Sequence, residues 1–223
     1  MIKKLHGLLR IFYSSPDVLR LKYSRFMNII LASNSKRRHE ILASCGIKHC
    51  VFPSNATEYM AISRLPEQVA MINARIKAEA VAKKFKSGYV IGADTVVLLG
   101  KKIIGKPRNA SHAKKMLKEM SGKTISVYTG LCIIDVKKEN PISDYERAFV
   151  TVKKLKDKEI PKYFKLLGPY DKAGGFSIEG VGSFIFDDIK GSYFNVLGLP
   201  TAKLKEMFGK LGVDILKEIR RDV

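Results

Sequence analysis

Apolar residues change their spacing several times along this chain. Ile29, Ile30, Leu31 and Ala32 form an unbroken block bounded by polar residues, too short for a helix, which predicts a buried strand. From Ser35 the pattern turns helical and stops at Gly46, with Ser35 as the N-cap. The stretch "PSNATEYMAISRLPE" has no period and reads as a loop. Val69, Ile72, Ile76 and Ala80 then recur at three- and four-residue spacing, predicting a helix over residues 67–85 with those four as its apolar stripe. Asn73 and Lys77, one turn apart, share a face beside the stripe.

"YVIGADTVVLLGKKIIGKP" reads as a strand and a hairpin turn at residues 100–102, and residues 110–120 as a helix stopped by Gly122. "TISVYTGLCIIDV" and "RAFVTVKKL" are strands joined by a "KKENP" turn, and "DKEIPKYFKLL" is a short helix. A glycine-rich segment, residues 168–200, leads to helices from Thr201. Strands alternating with helices, without repeats or an evident linker, predict one α/β unit over residues 27–223, with a mixed sheet and a cleft. Residues 1–26 stand apart: they are basic, contain a single acid (Asp17), and place Ile2, Leu5, Leu9 and Phe12 at helical spacing. A surface-binding helix, a transit peptide and a start-site artefact all fit this extension. The expectation is a working protein that begins at or near Met27 and makes no membrane contact through residues 1–26.

Composition narrows the partners. With 46% hydrophobic and 28% charged residues the 223-residue chain is ordinary for a globular protein, but its net charge of +20 calls for an anionic partner. The lysines are spread along the chain, which speaks against a nucleic-acid-binding tail, and no helix-turn-helix or RNA-recognition signature is present. Cys45, Cys50 and Cys132 make no C-x-x-C pair, so free thiols in a reducing cytoplasm are expected. The four histidines lack ligand spacing, which argues against a His/Cys metal site.

The chemistry begins with a mismatch. The first turn of a helix is the positive end of its dipole, yet Lys36, Arg37 and Arg38 fill the turn after Ser35, at roughly 0.3–1 kcal/mol each. An anion bound there would remove the penalty. Asp94, inside an otherwise apolar strand, must be paired, protonated, metal-bound or exposed at a strand end; capping a neighbouring loop is the alternative. Thr95 adds a hydroxyl beside it. Lys106, between Gly105 and Pro107, is a lysine on a stiff turn and suits a phosphate contact. Glu58 and Lys77 taken singly read as solvated surface. Together, cations at a helix start, two lysines on ordered elements and two acids able to hold a divalent ion are the parts that phosphate-ester or phosphoanhydride chemistry needs. No P-loop or G-x-G-x-x-G sharpens this further.

"LASNSKRRHEIL", "NARIKAEAVA", "VIGADTVV", "GKPRNASHAKKMLKEMSGKTISVYTG" and "DKAGGFSIEGVGSFIFDDIKGSYFNVLGLP", in this order, resemble the Maf family of nucleoside triphosphate pyrophosphatases from about Asn28 onward. The resemblance implies an elongated α/β fold with a central cleft, similar to the inosine triphosphate pyrophosphatases. It also implies hydrolysis of a nucleoside triphosphate to the monophosphate and pyrophosphate with Mg2+ or Mn2+, and a homodimer. Carried onto this chain, phosphate binding falls on Ser33, Arg37, Arg38, Lys77 and Lys106, metal binding on Glu58 and Asp94, and catalysis on Asp94. The nucleobase is expected near Thr95, Lys172 and Glu179, with Asp171 beside them. "DKAG" followed by "GSYFNVLGLP" looks like the branch that prefers dTTP and UTP, but that branch commonly has glutamine where Glu179 stands. The same chemistry on other or modified nucleotides, such as 7-methyl-GTP, is the alternative within the family. A basic nucleic-acid-binding regulatory module is the alternative outside it.

Overall fold

The computed structural model describes residues 28–59, 64–166 and 177–219. The extension before Asn28, and Asp171 and Lys172, lie outside these residues. In chain order the elements are β1 (Ile29–Leu31), α1 (Lys36–Ser44), β2 (His49–Val51), α2 (Pro66–Ala82), β3 (Tyr89–Leu99), β4 (Lys102–Ile104), α3 (Ala110–Met120), β5 (Thr124–Asp135), β6 (Asn140–Val152), α4 (Ile160–Leu166), β7 (Phe186–Lys190), α5 (Tyr193–Val196) and α6 (Thr201–Lys210). One-turn 3-10 helices at Gly180–Phe184 and Ile215–Glu218 complete the path. The strands form one seven-stranded mixed sheet in the order β2-β1-β3-β5-β6-β7, with β4 paired to β3. β1 is parallel to both its neighbours, and the other pairings are antiparallel. This is the mixed α/β sheet flanked by helices that the alternating pattern predicts. Among the described residues no helix is long and apolar enough to cross a membrane.

Two features of the sheet position the site. The chain leaves β1 through α1 to β2 on one side and returns through α2 to β3 on the other, so the strand order reverses at β1, the place where open α/β sheets form ligand crevices at their strand ends. β5 covers one edge of β3 from Tyr89 to Leu99. The other edge is shared: β1 pairs with Tyr89–Ile91 and β4 with Val97–Leu99, leaving residues 92–96 without a strand partner on that side.

The two faces of the sheet are packed differently. Ile29, Leu31, Ile91 and Ala93 join the main core with Ile41 and Leu42 of α1, Leu117 of α3 and Phe208 of α6. Ile30, Val90 and Cys132 point the other way, against Ala74, Ala78 and Val81 of α2. Here the predicted stripe needs correction. Of the four stripe residues Val69 is buried, as predicted, while Ile72, Ile76 and Ala80 are only half-buried; the rest of the buried face is Ala70, Asn73, Ala74, Ala78 and Val81. The reason lies in the sheet. A Cβ at Gly92 would collide with the Ala74 carbonyl, and one at Gly130 with the Ala70 backbone, so the helix lies directly on the strands and only small residues fit beneath it.

Boundaries shift in two further places. α2 runs from Pro66 to Ala82 rather than over residues 67–85. β6 begins at Asn140, so the turn after β5 is shorter than "KKENP" and Pro141 is a strand residue opposite Ile134. Proline is tolerated there because β7 pairs only with Phe149–Val152, leaving the start of β6 an edge.

Candidate active site

Side chains converge on the uncovered stretch of β3 from both faces of the sheet. On the α1 side, Ala32 prolongs the pairing of β1 by donating its N–H to the Ile91 carbonyl at 2.8 Å. The chain then turns through Ser33 and Ser35. Ser35 caps α1, its Oγ accepting from the Arg38 N–H at 3.5 Å, as its position before the helical run predicts. Arg38 is buried and its guanidinium fills the gap in the sheet edge. Nη1 donates to the Ala93 carbonyl and to Ser33 Oγ, both at 3.0 Å, Nη2 to Thr95 Oγ1 at 3.0 Å, and Nε to the Gly198 carbonyl at 2.8 Å. All four acceptors are neutral oxygens. Burial lowers the pKa of the group, and the charges of Asp94 and Glu58 oppose that shift.

The cations of the first helical turn therefore have three different fates. Lys36 is exposed and pairs with Glu40 one turn on. Arg37 meets Glu179 at 2.9 Å and donates to Ser177 Oγ at 2.9 Å. Arg38 takes the framework role just described.

On the α2 side the close approach of helix to sheet brings Lys77 and Asn73 down onto Asp94. Lys77 Nζ lies 2.6 Å from Asp94 Oδ1 and 2.7 Å from Glu58 Oε1. The Lys77 and Asp94 side chains retain 14% and 12% of their accessibility and Glu58 53%, so Asp94 is the enclosed member of the trio and Glu58 the open one. Asn73 Nδ2 donates to Asp94 Oδ2 at 3.2 Å. The same amide holds the backbone of Tyr59, next to Glu58, at two points. The hydrogen bond from Lys77 pulls the Glu58 pKa below the usual carboxylate range, against desolvation, and the charges of Lys77, Lys106 and Arg38 add to the effect. Lys106 is exposed beyond β4, and its charge reaches Glu58 from there.

Adjacent strand residues face opposite ways, so Thr95 is turned from Asp94 to the other side of the sheet. Its hydroxyl is used twice. It accepts from Arg38, and it lies 3.1 Å from Thr129 Oγ1, which itself donates to the Asn195 carbonyl at 2.9 Å. With the Thr129 proton committed to Asn195, Thr95 is the donor to Thr129. Thr95 is thereby a link in the framework that joins Arg38 to Thr129 and Asn195.

The structure thus brings Ser33, Arg38, Glu58, Lys77, Asp94 and Lys106 to one region, ties Arg37 to Glu179, and places Thr95 behind them. Lys172 lies outside the described residues. The spacing of Asn73 and Lys77 places them on one face, but nothing in it marks Asn73 as the joint between Asp94 and the Glu58 loop. Thr129 and Asn195 carry no local signal; their part depends on contacts 34 and 66 residues apart in the chain. Among the described residues no group of three or more His, Cys, Asp or Glu side chains could hold a metal ion. Glu58 and Asp94 form a two-carboxylate set.

The strand order of this mixed α/β sheet reverses at β1, and beside the reversal stand cations on one side and a lysine-bridged carboxylate pair on the other, an arrangement that suits an anionic ligand. Residues 28–211 match the model of the Maf-like protein family, and the chain belongs to that family. A dTTP/UTP pyrophosphatase of Caldicellulosiruptor saccharolyticus is 42% identical over 193 residues, spanning 85% of this chain and 97% of that protein. Proteins of the same name from Thermoanaerobacter pseudethanolicus and Bacillus cereus are 44% and 40% identical, with 93% and 97% of their lengths covered and 80% and 84% of this chain. A solved nucleoside-triphosphatase / dITP/XTP pyrophosphatase from Mycobacterium abscessus aligns with 83% of this chain and 96% of its own, at 11% identity and a TM-score of 0.38, a likeness too loose to add to the assignment.

Proposed function

We propose that this protein is a nucleoside triphosphate pyrophosphatase, cleaving the α–β phosphoanhydride to give a nucleoside monophosphate and pyrophosphate, with dTTP and UTP as favoured substrates. The observation that carries the reading is the run of relatives named dTTP/UTP pyrophosphatase at 38–44% identity, each covered over more than nine-tenths of its length. The geometry supports it with an ammonium, two carboxylates and a buried guanidinium gathered at the uncovered stretch of β3.

In this reading Lys77, Lys106 and Arg37 bind phosphate oxygens. Ser33 Oγ accepts from Arg38 and from the Ser35 N–H, which leaves its own proton for a phosphate oxygen. Arg38, with four hydrogen bonds already made, contributes positive charge and holds the crevice in shape. Glu58 and Asp94 would hold a divalent cation, Mg2+ or Mn2+. The donor set fits, because Mg2+ is commonly bound by one or two carboxylates together with substrate phosphates and water. Such a cation, when bound, neutralises phosphate oxygens and acidifies water. Asp94 orients the attacking water and takes its proton. The water oxygen bonds to the α-phosphorus, the α–β bridging P–O bond breaks, and pyrophosphate departs with the bridging oxygen and the electron pair.

Glu179 favours a second reading of the substrate within the same chemistry. An ionised carboxylate only accepts hydrogen bonds, whereas a glutamine both donates and accepts, so a different base preference fits this chain. Pyrophosphate release from dTTP, UTP, CTP, their modified forms, GTP and 7-methyl-GTP, with Mg2+ or Mn2+ and beside Asp94→Asn, tests both readings. Release from pyrimidine triphosphates that disappears in the variant supports the proposal. No release from any of them by the folded protein sinks it.

A further inference from the structure

We propose that the ammonium of Lys77 occupies, in the nucleotide-free protein, the place between Glu58 and Asp94 that a divalent cation takes at work, so that the cation binds weakly alone and more tightly together with the triphosphate. This rests on the pyrophosphatase reading above. Lys77 Nζ is 2.7 Å from Glu58 Oε1 and 2.6 Å from Asp94 Oδ1, so one ammonium engages both carboxylates at once. The second Asp94 oxygen is held by Asn73 Nδ2 at 3.2 Å. An ammonium and a divalent ion that need the same oxygens exclude each other twice, by occupancy and by like charge.

The surroundings reinforce the exclusion. Arg38 and Lys106 also act on Glu58, so the carboxylate pair faces three cations and the crevice already holds surplus positive charge. A free divalent ion meets repulsion there, and a metal–nucleotide complex, which is anionic, meets attraction. The backbone of Lys77 is held by the packing of α2 on Gly92 through Ala74 and Ala78. The four-carbon side chain can swing instead. Once phosphates arrive, Lys77 exchanges its carboxylate partners for phosphate oxygens and frees those carboxylate oxygens for the cation. By linkage, cation and nucleotide each raise the affinity for the other.

The test is a Mn2+ titration of the full chain without nucleotide, following the electron paramagnetic resonance signal of free hydrated Mn2+. Wild type, Lys77→Met and Lys77→Met/Asp94→Asn are compared, each checked for folding by circular dichroism. Lys77→Met is expected to bind one Mn2+ roughly tenfold or more tightly than wild type, and the gain to vanish in the double variant. Equal affinity of wild type and Lys77→Met, or a gain that survives Asp94→Asn, overturns the proposal. If Lys77→Met does not fold, the acetylation rate of Lys77 in wild type is followed by mass spectrometry as Mn2+ is added. A rate that rises in step with Mn2+ occupancy supports the exchange, and an unchanged rate at full occupancy overturns it. Neither measurement involves turnover, so a protein silent towards every triphosphate would sink the pyrophosphatase reading without deciding these results.

Discussion

Asn73 grips the backbone of Tyr59 at both ends, its Oδ1 accepting from the Tyr59 N–H at 2.6 Å and its Nδ2 donating to the Tyr59 carbonyl at 3.2 Å. The same Nδ2 reaches Asp94, so one buried amide sets the Glu58 loop relative to the strand carboxylate. Asn73→Ala should lower kcat/KM by roughly tenfold or more through misplacement of Glu58. Adding Glu58→Gln to that variant should cost much less than it does in wild type. A double-mutant cycle on kcat/KM checks the coupling, and strictly additive losses would count against the joint.

Asp94→Asn keeps the size and one hydrogen-bond acceptor but loses the charge opposite Lys77 and the proton acceptor. Turnover should fall by about 10²–10⁴-fold. Single-turnover measurements should locate the loss in the chemical step; full retention of kcat would remove Asp94 from its catalytic role.

Arg38 and Arg37 should respond differently to lysine. A lysine at position 38 cannot reproduce the planar fork that serves Ser33, Ala93, Thr95 and Gly198, and buried carbonyls would lose their donors. Arg38→Lys should lose roughly 2–4 kcal/mol of stability, seen in urea unfolding. Arg37→Lys, whose partner Glu179 is nearly half exposed, should stay within about 1 kcal/mol of wild type.

Glu179→Gln removes the anion facing Arg37 and supplies a donor as well as an acceptor. The ratio of kcat/KM for UTP over CTP should rise roughly tenfold, with unfolding nearly unchanged. An unaltered ratio would show that position 179 does not meet the base.

His49 makes stability fall towards acid pH. Its ring lies 2.8 Å from His39 Nδ1 and, through its own Nδ1, 2.8 Å from the Ile47 carbonyl. Burial and then the His39 charge hold its pKa below the ordinary 6.5, against the Ile47 hydrogen bond. The unfolded chain therefore takes up the proton first as pH drops, and the stability present above 6.5 declines until the folded value is reached. Unfolding midpoints measured between pH 8 and pH 5 should show this slope, and His49→Gln should flatten it.

Local spacing was enough for most elements. Ser35 before a helical run, Gly46 after it, and the apolar stretch from Tyr89 onward announce their structures because caps, stops and periodicity act over a few residues. The motifs from Asn28 to Pro200 likewise carry the family, since they are read from residue types in order.

What the tertiary structure decided is which side chains point where. Four well-spaced apolar residues suggest one buried face for α2, yet of these only Val69 is buried, and Gly92 and Gly130, on the neighbouring strands β3 and β5, select Ala70, Ala74 and Ala78 because only small residues fit where the helix lies directly on the sheet. That choice turns Lys77 and Asn73 onto Asp94. The cationic first turn of α1 announces an anion, but the gap between β1 and β4 turns Arg38 into the framework, because unpaired backbone carbonyls in a sheet edge need donors. The sequence by itself determined the elements, the family and the cast of charged residues. Their partners depend on packing between segments far apart in the chain, and no local pattern encodes that packing.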